Sequence, residues 1–196
     1  ASKPRYIWID AAANFPDFAN SKENIARDLA LAKDAGFTDI VVDVRPTTGD
    51  VLFKTNHVDQ VKFMYAWIGS NYTKVERTAT WDYLQAFVDE ARKQGLRIHA
   101  AINTFVGGNQ IDGGTGLLYR DQSKAAWATQ MNMQTGITSV MNTSESAKFF
   151  NPAHPEVQTF LCNLLEDLAS YDLDGIFLDR GRFLNLQADF SEESRK

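Results

Sequence analysis

The chain has 196 residues, 44% of them hydrophobic, which supports a sizeable core and argues against a disordered segment. Its net charge of −5 leaves no basic footprint for nucleic acid, and its longest apolar runs, such as Ile40-Val41-Val42, are far too short to span a membrane. A single cysteine, Cys162, gives neither a disulfide framework nor a cysteine metal site and reads as a buried, inert thiol in a helix.

Taken in order, Ala1-Ser2-Lys3-Pro4 shows no signal-peptide pattern and reads as the front of a processed or trimmed chain. Tyr6 to Asp10 is a short β-prone run ending on a carboxylate. A helix is expected from Ser21, a good N-cap, to Ala35, closed by Gly36, with Ile25, Leu29 and Ala32 inward. The second strand, Asp39 to Arg45, is followed by a long loop, about 46–79, holding Phe63, Tyr65, Trp67 and Tyr72. A second helix is expected from Thr80 to Gln94 before Gly95, with Trp81, Leu84, Val88 and Ala91 inward. The third strand, Arg97 to Asn103, opens a second long loop, about 104–154, rich in glycine near Gly107 and Gly113. Pro155 starts a third helix that buries Val157, Phe160, Leu161, Leu164 and Leu168, leading to a fourth strand over 174–179. Ser191-Glu192-Glu193 reads as the N-cap and acidic first turn of a fourth helix.

Strands that alternate with amphipathic helices imply βαβ crossovers and a parallel sheet. The expected fold is α/β, four parallel β/α units with long loops after strands two and three. Four strands cannot close a barrel, and open apolar edges are a liability. Residues 1–196 are therefore expected to be a partial domain, the N-terminal half of a (β/α)8 TIM barrel that breaks off in its fourth helix. A self-complementing half-barrel dimer is the alternative.

Such barrels place their chemistry at the C-terminal ends of the strands. Asp179 ends the fourth strand, with Phe177 and Asp179 on one face by period-two alternation, whereas Asp174 lies roughly 16 Å back along the strand and reads as a cap or ion-pair partner. By the same alternation the mouth would gather Asp10, Asp43, Arg45, Asn103 and Asp179, with Arg182 nearby. Carboxylates, a guanidinium and an amide in one cavity suit a polyhydroxylated substrate and an oxocarbenium-like transition state. Arg45 has two readings, a substrate contact or a rim ion pair with Asp43 that would keep Asp43 ionised. His99 sits deeper and reads more readily as a hydrogen-bonded core histidine than as a substrate contact. Trp67, among the loop aromatics, could stack on a sugar ring or simply pack its loop. His57, His99 and His154 show no metal-ligand spacing, and the chain holds no nucleophile elbow and no phosphate loop, so no metal and no cofactor is expected.

Several motifs together resemble a known family. Val44-Arg45-Pro46 is followed by Gly49-Asp50-Val51-Leu52-Phe53. Then come Gly95 to Asn103, Asn151-Pro152 with Pro155-Glu156-Val157, and Tyr171-Asp172-Leu173-Asp174-Gly175-Ile176. In this order and over nearly the whole chain they resemble the family 10 glycosylhydrolase-like proteins of bacteria. The resemblance implies a TIM-barrel relative of glycoside hydrolases, secreted, periplasmic or cell-envelope associated, acting on a polysaccharide or cell-wall glycan. Asp179 would be the matched strand-four carboxylate. Members often carry histidine where Phe177 stands, a second aspartate at Arg180 and an amide at Asp43, so activity and substrate are open. The leading expectation is a glycoside hydrolase with Asp179 catalytic, substrate contacts from Asp10, Asp43, Arg45, His99, Asn103, Arg182 and Trp67, and a second carboxylate in the other half of the barrel. On that reading the fragment alone is inactive, its partners being an oligo- or polysaccharide and the C-terminal half. The rivals are an inactive carbohydrate-binding barrel and a metal-dependent deacetylase or hydrolase.

Overall fold

The computed structural model describes residues 2–196; Ala1, the first residue of the Ala1–Pro4 segment, lies outside them. Four strands, β1 (Tyr6–Ile9), β2 (Asp39–Arg45), β5 (Arg97–Asn103) and β10 (Gly175–Asp179), form one parallel sheet in the order β1-β2-β5-β10. Between them in the chain lie α1 (Ala11–Phe18), α2 (Lys22–Asp34), α3 (Tyr83–Gln94) and α5 (Pro155–Ala169). Each connection is a right-sized crossover, so the parallel pairing follows from the alternation of β-branched runs and amphipathic helices.

The helices take their starts from side-chain caps. Ser21 accepts from the Asn24 amide, and Asp82 accepts from the Gln85 amide. The second cap puts the start of α3 at Tyr83 rather than Thr80, and Trp81 sits before the helix under the Arg77 guanidinium, 4.9 Å from its ring centroid. Helix α1 is absent from the sequence expectation. It forms because the Asp10 carboxylate accepts the Ala13 amide at 2.7 Å and caps an alanine-rich turn. Cys162 lies on the exposed side of α5 rather than inside. Its neighbours Leu161 and Leu164 take the buried stripe.

Ile40, Val42 and Val44 of β2 and Ile98, Ala100 and Ile102 of β5 point to the helices and make the core with Leu29, Leu84, Phe87 and Leu161. The other face carries Val41, Asp43, His99, Ala101 and Asn103, and Ala12 of α1 meets it at the strand ends. The sheet curls toward this face: Tyr6 on β1 and Phe177 on β10, opposite edge strands, bring their ring centroids to 6.2 Å.

The two long loops are structured. The first forms the hairpin β3 (Phe63–Ile68) and β4 (Asn71–Glu76). The second holds β6 (Val106–Asn109), α4 (Leu117–Arg120), β7 (Gln130–Met133), β8 (Gly136–Ser139) and β9 (Ala147–Phe149), with β6 pairing β9 and β7 pairing β8. Its glycines allow close backbone approach: a Cβ on Gly116 would stand 2.8 Å from the Thr48 carbonyl oxygen and 2.7 Å from the Gly108 Cα. After β10, Ser191 caps the short α6 (Glu192–Arg195).

Candidate active site

The strand ends meet in a cleft of about 140 Å³ lined by Trp8, Asp10, Asp43, Asn103, Asp179 and Arg180, with Thr47 and Met64 from the first long loop on its wall. Four of the residues singled out from sequence, Asp10, Asp43, Asn103 and Asp179, therefore come together, one from the end of each strand of the sheet. Among the described residues no group of three or more histidine, cysteine or acidic side chains is arranged to hold a metal ion.

The three carboxylates differ in surroundings. Asp43 is 8% exposed, and one of its oxygens accepts the Arg45 amide at 3.2 Å. Burial, together with the charges of Asp10 and Asp179, pushes its pKa up to about 7. This reverses the expectation that Arg45 holds Asp43 ionised. Asp10 is tied up as the cap of α1. Asp179 is solvent-exposed; its Oδ1 accepts the Arg180 amide at 2.8 Å, and its carbonyl accepts the Thr104 amide at 2.8 Å. Asn103, beside Asp179 in register, donates its amide to the Arg45 carbonyl at 2.9 Å.

Arg45 lies outside the cleft. The pairing of β2 with β5 slips after Asp43: Asp43 pairs Ala101, but Arg45 pairs Ile102, so Val44 is an extra residue. Strict alternation fails there, and Arg45 leaves the face that carries Asp43. Its guanidinium is fully buried and donates to the Asn103 and Thr104 carbonyls at 2.5 and 3.1 Å and to the Val106 carbonyl. Burial lowers its pKa to about 10, so it stays charged at neutral pH. Among the described residues it forms no ion pair with Asp43. Its place is behind the cleft, clamping the chain that leaves β5.

His99 lies below the cleft, where its Nε2 is 2.7 Å from Asp39 Oδ2. Asp39 also takes both ends of the Arg97 guanidinium, at 2.7 and 3.0 Å, and these bonds hold its carboxyl far below the usual range. Gly175 makes room for the imidazole: a Cβ there would stand 2.7 Å from His99 Nδ1. Asp174 pairs with Arg92 at 2.8 Å and accepts the Ile98 amide, at the end of the sheet away from the cleft. Arg182 folds back on the Phe183 and Leu184 carbonyls. Trp67 is 69% exposed on β3, its ring 5.2 Å from that of Tyr72, and lines no part of the cleft.

Arg180 is a charged cleft residue that strand alternation does not reach. It adopts φ 47°, which ends β10 in a sharp turn and sets its side chain beside Asp179. An Asp-Arg-Gly ending is a turn signal, but the left-handed residue within it is a tertiary choice.

Comparison with known proteins agrees with this architecture. The family model described as glycosyl hydrolase-like 10 matches residues 3–192. An S-layer-related protein of Niallia circulans is 32% identical over 192 residues, covering 95% of this chain and 12% of that protein. The chain thus spans about an eighth of the curated relative it matches. Among solved structures, a hypothetical protein from Ruminiclostridium thermocellum superposes with a TM-score of 0.59 at 14% identity, over 95% of this chain and 81% of that one. Alpha-L-fucosidase isoenzyme 2 from Paenibacillus thiaminolyticus gives 0.57 at 18% identity, over 91% of this chain and 23% of that one. At these identities the structural likeness is one of fold alone, a parallel α/β arrangement. The family match carries more weight, since it covers nearly every residue from before β1 to α6: the chain belongs to the glycosyl hydrolase-like 10 family.

Proposed function

We infer that this chain carries part of the active site of a glycoside hydrolase that acts on an oligo- or polysaccharide. The observation that carries the reading is the convergence of Asp10, Asp43 and Asp179 with Asn103 in one cleft at the strand ends, with unlike environments for the carboxyl groups. Exposed Asp179 would act at the anomeric carbon, as nucleophile or as the charge that stabilises an oxocarbenium-like transition state. Asp43, protonated in part at neutral pH, would donate a hydrogen bond to a substrate hydroxyl, and Asn103 would hold another.

The leaving oxygen still needs a proton donor. Asp43 and Asp179 are on strands separated by β5, roughly 10 Å apart across the sheet before curvature, at or beyond the span of an inverting pair. We assign the acid to further strands that would continue the sheet into a barrel. Two features support that continuation. An apolar groove of about 420 Å³ runs along the outer side of β1 between Ile7, Ile9, Leu29 and Phe37. On the other edge Leu178 of β10 is half exposed. The S-layer-related name of the relative supports placement at the cell envelope.

A second reading, glycan binding without hydrolysis, is favoured by Arg180, a cation lining the cleft beside Asp179. Replacing Asp179 with Asn in the full-length protein separates the two. A hydrolase loses turnover by several orders of magnitude and keeps glycan affinity. An Asp179→Asn variant with full turnover on the glycan would sink the catalytic assignment.

A further inference from the structure

A second cleft of about 320 Å³ abuts the acidic one, the two sharing Ala12, Thr47 and Met64. One wall is the β3–β4 hairpin, a two-faced ribbon. Met64 and Ala66 are buried, Met64 at the boundary shared by the two clefts, while Phe63, Tyr65 and Tyr72 line the second cleft alone. The Tyr65 and Tyr72 rings lie 5.2 Å apart and 30° from parallel, forming a shallow aromatic platform. Tyr65 is fixed from outside: its hydroxyl donates to Asp112 Oδ1 at 2.7 Å, Lys74 donates to Asp112 Oδ2 at 2.7 Å, and the same ammonium sits 4.4 Å over the Phe63 ring. The platform is thus largely organised before a ligand arrives, which lowers the entropic cost of binding.

The remaining lining is uncharged: Ala12, Met64 and Ile111 are apolar and the other side chains are polar. Asn109, Gln110 and Ser146 supply amides and a hydroxyl, as does Thr48, whose buried hydroxyl has no hydrogen-bond partner. No charged side chain lines this cleft, whereas three carboxylates and Arg180 line its neighbour. Aromatic faces suit the C–H faces of a sugar ring, and amides and hydroxyls suit its equatorial hydroxyls, whereas a carboxylated or sulfated sugar would find no cation in the lining, the nearby Lys74 being already paired with Asp112.

We propose that this cleft is a second sugar subsite, binding an uncharged pyranose ring adjacent in the same glycan chain to the ring held in the acidic cleft. The inference rests on the reading of the acidic cleft as a glycan site and extends it: the ligand spans at least two rings, and binding energy gathered on the aromatic hairpin is available to position the bond at Asp179.

Calorimetric titration of the full-length protein tests it. The probes are neutral gluco-, manno-, xylo- and chito-oligosaccharides of one to six rings, with oligogalacturonates of matching length. Affinity should rise about tenfold at the ring that enters the second cleft. Tyr72→Ala should abolish that increment and leave the shortest ligand's affinity unchanged. Tyr72→Phe, which keeps the ring, should retain it. Circular dichroism controls for folding, and Tyr72 is exposed enough for its loss to spare the core. Affinity independent of length, or an increment that survives Tyr72→Ala, overturns the subsite and leaves the acidic cleft standing. Tighter binding of oligogalacturonate than of every neutral ligand overturns the uncharged-ring assignment. Absence of binding by the whole panel overturns the subsite together with the reading it rests on.

Discussion

Trp8 and Phe177 stand on the two edge strands of the sheet, β1 and β10, yet their rings meet edge to face with centroids 5.8 Å apart. Across a flat sheet those strands would be three spacings apart, about 14 Å. The pair therefore reports strong curvature toward the face that carries Asp43, with His99 packed beneath it, 5.6 Å from the Phe177 ring. Trp8 is still 45% exposed.

If further strands complete this curve, residues 1–196 alone leave Trp8, Phe177 and Leu178 open to solvent. The isolated chain should bind a hydrophobic dye and self-associate by light scattering, while the full-length protein should do neither. It should also lack turnover on glycans. Equal dye binding by both forms, or equal turnover, would remove the half-barrel interpretation.

Asp179→Asn preserves the acceptor for the Arg180 amide and alters an exposed position, so stability should change by no more than about 0.5 kcal/mol. Turnover should fall by at least about 10²–10⁴-fold. Steady-state kinetics beside a urea melt checks both halves of this expectation.

Asp43 links stability to pH. Its folded pKa of about 7 exceeds the ordinary 3.8, so between these values the folded state holds a proton that the unfolded state releases. Stability from this group is intact below about pH 4, declines as pH rises toward 7, and stays lowered above it. Asp43→Asn removes the titration. The variant should be more stable than the parent at pH 8, by an amount of order a few kcal/mol, and nearly equal to it at pH 4. Denaturant unfolding across this range would contradict the assignment if the difference were flat.

Arg45→Leu should destabilise the protein by about 3–5 kcal/mol, because carbonyls of Asn103, Thr104 and Val106 lose a charged donor behind the cleft. Arg45→Lys should recover only part, since one ammonium cannot span the three acceptors as the planar fork does. Glycan affinity of folded Arg45→Lys measures whether the clamp also shapes the cleft.

Gly175→Ala drives a methyl against His99 Nδ1, and Asp39 holds the imidazole from its other nitrogen. A loss of about 1–3 kcal/mol is expected. In a His99→Ala background the same change should cost much less. A double-mutant cycle with no coupling would show that the glycine serves something else.

The four strands, their parallel order, the caps at Ser21 and Ser191 and the helix start at Pro155 were legible because they depend on local periodicity and local hydrogen bonds. So was the gathering of Asp10, Asp43, Asn103 and Asp179, which alternation along regular strands places at one end of a parallel sheet. Arg45 was not, because a bulge is decided by how two strands pair, and one extra residue sends every later side chain to the other face. Asp43's raised pKa was not, since desolvation and the nearness of two other carboxylates exist only once the strands converge. The aromatic residues of the first long loop stood in the sequence with period-two spacing, but whether they pack the loop or line a cleft depended on β4 pairing with β3 and on Asp112 arriving from the second loop to hold Tyr65. Local chemistry chose the elements; the contacts between distant segments chose which polar groups were buried, paired or left facing the cleft.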